Sequence, residues 1–492
     1  MIVEWGILLL LPPAFYNFLK MTNTISIREK VGYSLGDVGA NLAFQVMMIY
    51  QLKFYTDVFG LDGAVAGLVL LIAPLVNAFV DPLIGIVADR TSTRWGKYRP
   101  WVLWSALPFC VFYVLAFWNP GITDKTLVAV YATVSYVLML SMYSLNNTPY
   151  SSLGGVITGD IAQRTSINSF RFVATTIAQF VVQGLTLPLV HHFGHGDAAR
   201  GWLSTVSLFA AAAMVCFLFC FFSTRERIQP PPKQQTNVRA DLRITLSSRS
   251  WLSMFVLTLS LFITLAMWGS AMNFYFQSYV DQFALARFLR RLGFSVTTET
   301  AYTTGFSLFN TVAAVVQFIG VVLLSSRLAN RYGKRPVFIV CLSLTALFTA
   351  LMYVPSAVDV RMLFVLNVLK SLSYAPTIPM LWAMIGDVAD HIEYLHRRRA
   401  TGICFSGIVF ALKMGLGLGG ALAGMLISAF GYVSGGVVAQ SDTAVFGIRL
   451  VSSLIPAMLF LVGVLALFFY PISRQFNQNM QAELTARRRL GE

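Results

Sequence analysis

Charge is scarce in this chain. Of 492 residues only 12% are Asp, Glu, Lys or Arg, while 57% are hydrophobic; an ordinary soluble protein carries about 25% charge. So little charge cannot cover a water-facing surface of this size, which excludes a soluble enzyme and a disordered chain. Cysteine is also sparse. Cys110, Cys216, Cys220, Cys341 and Cys404 all fall in apolar runs, so they read as packing residues and exclude a disulfide scaffold or a metal framework. Catalytic signatures are sparse too: there is no HExxH and no phosphate-binding GxxxxGKS/T, which sets a membrane enzyme aside.

Long apolar runs are plentiful. A bilayer core about 30 Å thick needs about 20 residues of helix. Twelve such runs lie near 32–56, 64–87, 101–118, 126–150, 168–190, 202–223, 250–280, 302–325, 336–355, 361–386, 402–430 and 445–471. The expected fold class is therefore all-α and integral to a membrane. The net charge of +15 finds its explanation in topology, because cytoplasmic loops carry the excess of Lys and Arg. With the chain entering from the cytoplasm, 24 Lys and Arg fall on that side and seven on the other. A multi-pass protein of the bacterial inner membrane with both termini cytoplasmic is expected, and no nucleic acid is needed. Residues 1–20, MIVEWGILLLLPPAFYNFLK, look like a signal sequence, but the apolar stretch is short, holds Glu4, is broken by Pro12 and Pro13 and lacks a small-residue cleavage site. They read as a non-native or alternative start within a cytoplasmic segment 1–30.

Residues 224–249 are polar, basic and proline-rich, the composition of a linker between a bundle at 31–223 and another at 250–471, with a tail at 472–492. Repeats support this division. Arg94-Trp95-Gly96-Lys97-Tyr98-Arg99-Pro100 recurs as Arg331-Tyr332-Gly333-Lys334-Arg335-Pro336, and Gly159-Asp160-Ile161-Ala162 recurs as Gly386-Asp387-Val388-Ala389. Parallel repeats of this kind occur in secondary transporters, with the site at the midplane between them.

Charges inside lipid are costly, so each marks a functional hypothesis. Asp81 stands within the second run directly before Pro82, which frees local carbonyls for a cation or water. Asp37 lies in the first run between Gly36 and Gly39 and is either a second acid on the ion path or a structural partner for a cation. Arg171 has a fork suited to paired hydroxyls or a carboxylate. Lys413 is deeper, followed by two GxxxG spacings, Gly415/Gly419 and Gly420/Gly424, that permit close helix packing. Lys370 either faces the cavity or reaches outward. Tyr143 and Asn147, four residues apart, share a helix face, so that a ring suited to stacking and an amide suited to hydroxyls could point into one cavity. Pro376, Pro379 and Trp382 suggest a broken helix with an indole near the site. His191, His192 and His195 read as a solvated loop, and 283–301 as an external amphipathic helix or flap.

Asp81-Pro82-Leu83-Ile84-Gly85 through Asp89-Arg90-Thr91 to Arg94, Gly96 and Lys97 resembles the loop 2–3 signature of the major facilitator superfamily. REKVGYSLGDVGAN, FYTDVFG, TSTRWGKYRPW, NNTPY, STRER, DVADHIEY and RRATGICFSGIVFALKMGLGLGGALAG, in order over about 26–475, more closely resemble the glycoside-pentoside-hexuronide:cation symporters. That resemblance implies twelve helices in two six-helix bundles and import of a sugar or glycoside by cation symport. The alternatives are an uncoupled facilitator, an effluxer or a non-transporting sensor. It implies substrate contacts at Asn41, Tyr143, Asn146, Asn147, Arg171, Trp382 and Lys413. Coupling falls to Asp81, Asn77 and Asp37, and gating to Asp89, Arg90, Arg94, Asp160, Asp387, Glu393 and Arg398, as salt bridges between the halves. Asn77 and Asn147 stand where the melibiose carrier has carboxylates of its sodium site. A proton needs only one carboxylate, so H+ is expected over Na+, with no other cofactor. The expected partners are a small-molecule sugar, the cation and lipid around a functional monomer.

Overall fold

The computed structural model describes residues 25–158, 161–227, 238–397, 401–435 and 439–490. Its helices are α1 (Ile27–Asp57), α2 (Gly63–Arg90), α3 (Arg99–Leu115), α4 (Lys125–Val156), α5 (Ile161–Gly194) and α6 (Ala198–Ser223), then a short α7 (Val238–Ser247). The C-terminal half holds α8 (Arg249–Ser278), α9 (Gln282–Arg291), α10 (Thr298–Gly320) with a π turn into α11 (Ser326–Tyr332), and α12 (Lys334–Leu351). It continues with α13 (Val360–Tyr374), α14 (Thr377–His396), α15 (Thr401–Ala429), α16 (Asp442–Ser452), α17 (Leu454–Phe468) and α18 (Arg474–Leu490). No strand occurs among the described residues; one bridge, Thr93 to Gly96, closes the turn before α3.

Among the described residues nine helices, counting α10–α11 and α16–α17 as one each, are long and apolar enough to cross a membrane. The other three expected passages depart from that pattern for visible reasons. Asp37, Lys53 and Asp57 interrupt the apolarity of α1, α3 has only 17 residues, and the tenth passage breaks between Tyr374 and Thr377, where Pro376 removes a backbone donor. The linker region contains α7, whose Ile244 packs on the C-terminal core, and the tail forms α18, anchored by Met480 and Leu484.

The repeated loop motif has a repeated structure. Nε of Arg99 donates to the carbonyl of Phe221 at 2.7 Å, on the last turn of α6. Nε of Arg335 does the same to Leu467 at 3.1 Å, on the last turn of α17. Each arginine thus satisfies carbonyls that a helix end leaves without partners. In the first copy Glu226 adds an anion at the start of α3, accepting from the backbone N–H groups of Lys97, Tyr98 and Arg99 at 2.8, 2.7 and 2.8 Å. Its carboxylate fills the space where a side chain at Gly96 would stand, and Gly96 has a φ of +114°.

Helix α15 is held between two neighbours by the two small-residue stripes read in its sequence. Gly415 and Gly419 face α8 of the same half, where a Cβ on Gly415 would lie 2.9 Å from the carbonyl oxygen of Leu259. Gly417, Gly420 and Gly424 face α2 of the other half, against Pro74, Leu70 and Gly63. The two helices run antiparallel along this seam from Gly63 towards Asp81, about 27 Å at the helical rise.

Candidate substrate cavity and its ion pairs

A cavity of about 630 Å³ lies between the halves, walled by α1, α2 and α4 on one side and α8, α14 and α15 on the other. The volume suits a small-molecule ligand. It reaches Ser151 and Ser152 near the end of α4, on the membrane face that carries Arg90, Arg94 and Arg99, called here the basic face. The walls are mostly apolar, with polar groups at Asn77, Tyr143, Ser144, Asn147, Thr148 and Lys413, and with Trp382 exposed along one wall. Tyr143 and Asn147 meet as their spacing predicted: Nδ2 of Asn147 donates to the Tyr143 hydroxyl at 2.7 Å, and the Tyr143 ring stacks on Phe44 with centroids 5.6 Å apart.

Five of the candidate residues, Asn77, Tyr143, Asn147, Trp382 and Lys413, line the cavity. Others sit elsewhere. Asn146, expected at the substrate, is fully buried against α3, its amide donating to Oγ of Ser105 at 2.8 Å. One residue along a helix turns a side chain by about 100°, and that rotation carries Asn146 out of the wall its neighbour occupies. Asn41 and Arg171 also lie off the cavity walls, both bonded to Asp37. Oδ2 of Asp37 accepts from Nε of Arg171 at 2.7 Å and from Thr175 at 2.8 Å, and Oδ1 from Asn41 at 3.3 Å. The guanidinium rests 5.4 Å from the ring of Tyr150, which stacks on Tyr33. Asp37 is thus the structural partner of a cation inside the N-terminal half.

Asp81 makes a different bond. Its Oδ2 accepts from Nζ of Lys413 across the two halves, and its buried Oδ1 has no hydrogen-bond partner. Lys413 also reaches Oγ of Ser144 at 3.4 Å and lines the cavity. The pair ties the α2–α15 seam beyond its glycines. Asn77, one turn before Asp81, accepts from Ser141 at 3.3 Å.

Among the described residues, the gating candidate Asp387 is bonded within its own half. Lys334 holds it at 2.6 Å, because the second copy of the loop motif starts α12 beside the end of α14. Glu393, on the same end of α14, is also engaged. Arg94 lies 4.7 Å over the ring of Trp95, and Arg90 is exposed. Asp160 and Arg398, like residues 1–20, lie outside the described residues, as does the Asp89 side chain. His191, His192 and His195 are exposed, and no cluster fit for a metal occurs among the described residues. Within 283–301, α9 buries Leu285 and Leu289 against its neighbours.

Sequence reasoning missed the ties at the opposite face. Nζ of Lys53 donates to Asp57 at 2.6 Å and to Gln277 of the other half, lying 5.4 Å over each of the Phe274 and Tyr302 rings. The Tyr432 hydroxyl, held protonated well above its ordinary range by burial and then by Asp57, donates to Asp57 at 3.2 Å. Oγ of Ser428 donates to Asp62 at 2.8 Å. The spacing of Lys53 and Asp57, four residues apart on one helix, was the available signal; their partners are more than 200 residues away. These bonds close the face opposite to the one the cavity approaches.

Residues 32–474 match the family described as MFS/sugar transport protein. The chain is 32% identical over 473 residues to the inner membrane symporter YicJ of Escherichia coli (strain K12), covering 95% of this chain and 97% of the relative. It is 30% identical over 456 residues to the isoprimeverose transporter of Lactiplantibacillus pentosus, covering 92% and 90%. A crystal structure of the D-xylose-proton symporter shares the fold at a TM-score of 0.58 with 14% identity, over 90% of this chain and 96% of that one. The chain belongs to the major facilitator superfamily, within the glycoside-pentoside-hexuronide:cation symporters, and is a membrane sugar transporter, not an enzyme.

Proposed function

We propose that this transporter imports a sugar or glycoside together with a cation, a proton in preference to sodium, by exposing the cavity alternately to the two faces. The positive-inside rule makes the basic face cytoplasmic and places both termini there, in the inner membrane. The structure is then the inward-open form. Trp382 and the Tyr143 ring offer apolar faces to a sugar, and Asn147, Ser144 and Lys413 offer donors and acceptors to its hydroxyls.

The observation that carries this reading is the Asp81–Lys413 pair. Lys413 belongs at once to the cavity wall and to the part-buried Asp81 carboxylate. A proton on Asp81 removes the attraction and frees Lys413 for substrate; loss of the proton restores the pair. One cation shared by two sites gives a coupling that is reciprocal, as linkage requires. Sodium would need several hard oxygens. The amide oxygens nearby already accept from Ser141 and Ser151, the latter at 3.4 Å.

Uptake of radiolabelled glycosides into proteoliposomes, with an imposed pH or sodium gradient, tests the proposal. An inward proton gradient should drive accumulation. Sodium-driven uptake would overturn proton coupling, uptake indifferent to both gradients would make the protein a facilitator, and no uptake of any sugar would sink sugar import.

A further inference from the structure

Four cations lie within or at the edge of the spans, and each has a partner: Lys53, Arg171 and Lys413 a carboxylate, and Lys370 the ring of Trp268. The face opposite the basic one is different. It carries seven Lys and Arg, and four of them, Arg287, Arg290, Arg291 and Arg361, fall on α9 and the first turn of α13. All four are exposed, and none meets a carboxylate among the described residues. Nearby acids are engaged elsewhere: Asp281 caps α9 through the N–H of Ala284 at 2.7 Å, and Asp359 accepts from the N–H of Ser356 at 3.2 Å. Arg290 and Arg291 complement the C-terminal end of α9, but Arg361 stands at the N-terminal end of α13, where the helix dipole disfavours a cation.

Apolar side chains share this surface. Phe283, Leu292 and Phe294 are exposed, Phe283 by 70%. Nε of Arg290 donates to the carbonyl of Val296 at 2.8 Å, and the N–H of Phe294 to that of Leu289 at 3.1 Å, which folds 292–296 back on the helix. The depth of α9 follows from its contacts. Leu285 fills the place where a side chain at Gly305 of α10 would stand, and the Phe288 ring lies 5.1 Å from that of Phe364 on α13. Gly305 and Phe364 are each three residues inside an apolar run, so α9 lies along the flanks of two spanning helices where those runs begin. That is the depth of lipid headgroups.

We propose that α9 and the turn after it form a docking surface for an anionic phospholipid, whose phosphate meets Arg287, Arg291 and Arg361 and whose acyl chains meet Phe283, Leu292 and Phe294. Arg287 and Arg291, four residues apart, present their forks on one face of α9, and such forks bond two phosphate oxygens at once. Amphipathic helices of this composition lie in the plane of the interface. A soluble acidic protein would use the arginines but leave the three apolar side chains in water, which favours the lipid.

Selective quenching tests the surface. A Ser295→Cys chain carrying a fluorophore is reconstituted in equal amounts of phosphatidylglycerol and phosphatidylcholine, with the acyl chains of one or the other brominated; the chain without the added cysteine, treated alike, gives the blank. Brominated phosphatidylglycerol should quench more than brominated phosphatidylcholine, by a local enrichment on the order of fivefold. Arg287→Gln with Arg291→Gln should bring the two lipids to parity, the corresponding pair of Lys substitutions should keep part of the enrichment, and high salt should weaken it in the parent chain. A thermal midpoint equal to the parent's shows that the Gln pair is folded, and the salt dependence tests the charge without any substitution. Equal quenching by both lipids in the parent, or an enrichment that the Gln pair and salt leave unchanged, would overturn the proposal. Absence of quenching by either lipid would overturn it too, because α9 would then face water and its arginines would serve a soluble acidic partner.

Discussion

Two carboxylates sit inside the membrane on neighbouring helices of the same half, and they are bonded in opposite ways. Asp37 is saturated: Arg171, Thr175 and Asn41 all donate to it, and all belong to its own half. Asp81 has one donor, from the other half, and one buried oxygen with nothing bonded to it. A saturated pair within a rigid half is part of that half's structure. A half-satisfied pair across two moving parts can change partners, which a coupling site must do. The contrast separates two acids that their apolar context makes look alike.

The largest expected effect comes from neutralising the second acid. Asp81→Asn should abolish proton-driven accumulation in proteoliposomes while sparing exchange of internal for external sugar, since exchange needs no net proton movement. Equal loss of both would make Asp81 structural and erase the contrast. Asp37→Asn should act through stability instead. It leaves the Arg171 charge largely buried without its counter-ion, a change that typically costs about 3–5 kcal/mol. The thermal midpoint should drop, and accumulation and exchange should fall together in proportion to the folded protein that remains.

A third change extends the comparison to the opposite face. Lys53 reaches Gln277 across the halves, so Lys53→Met should loosen the closed face and leave each half intact. A loss of about 1–2 kcal/mol would change the population of the outward-open form roughly five- to thirty-fold. The readout is labelling of a cysteine placed at Ala266, a cavity-wall residue, by a membrane-impermeant maleimide added from outside. Labelling should accelerate in Lys53→Met and stay unchanged in Asp37→Asn. Acceleration in both would show that the intra-half pair also controls closure.

The parts that could be read in advance are those whose physics is local. Runs of about 20 apolar residues announce helices, and a charge inside such a run announces itself, which is why Asp81, Lys413 and Arg171 stood out. The GxxxG spacings were visible too, but not that Gly415 and Gly419 serve α8 while Gly420 and Gly424 serve α2. Partner choice depends on tertiary neighbours. Lys53 could not be paired with Gln277, 224 positions on, nor Arg171 assigned to Asp37 ahead of a sugar. The roles of Glu226 and Arg227 in the STRER motif were hidden for the same reason: Glu226 caps α3 and Arg227 pairs with Glu29 at 2.7 Å, contacts made only once the helices are bundled.

The smallest effect sharpens the argument at the level of one residue. Asn146 and Asn147 are adjacent and chemically identical, and α4 sends one to Ser105 and the other to the cavity. Asn146→Ala removes a buried hydrogen bond to Oγ of Ser105, whose hydroxyl still donates to the carbonyl of Trp101 at 2.6 Å, so stability should fall by about 1 kcal/mol with the KM for sugar unchanged. Asn147→Ala removes a group from the cavity wall and should raise KM severalfold with little change in thermal midpoint. Concentration dependence of uptake and a melting curve on each variant separate the two. If Asn146→Ala raised KM as much as Asn147→Ala, the wall would extend to α3, and a position read as helix packing would belong to the substrate site.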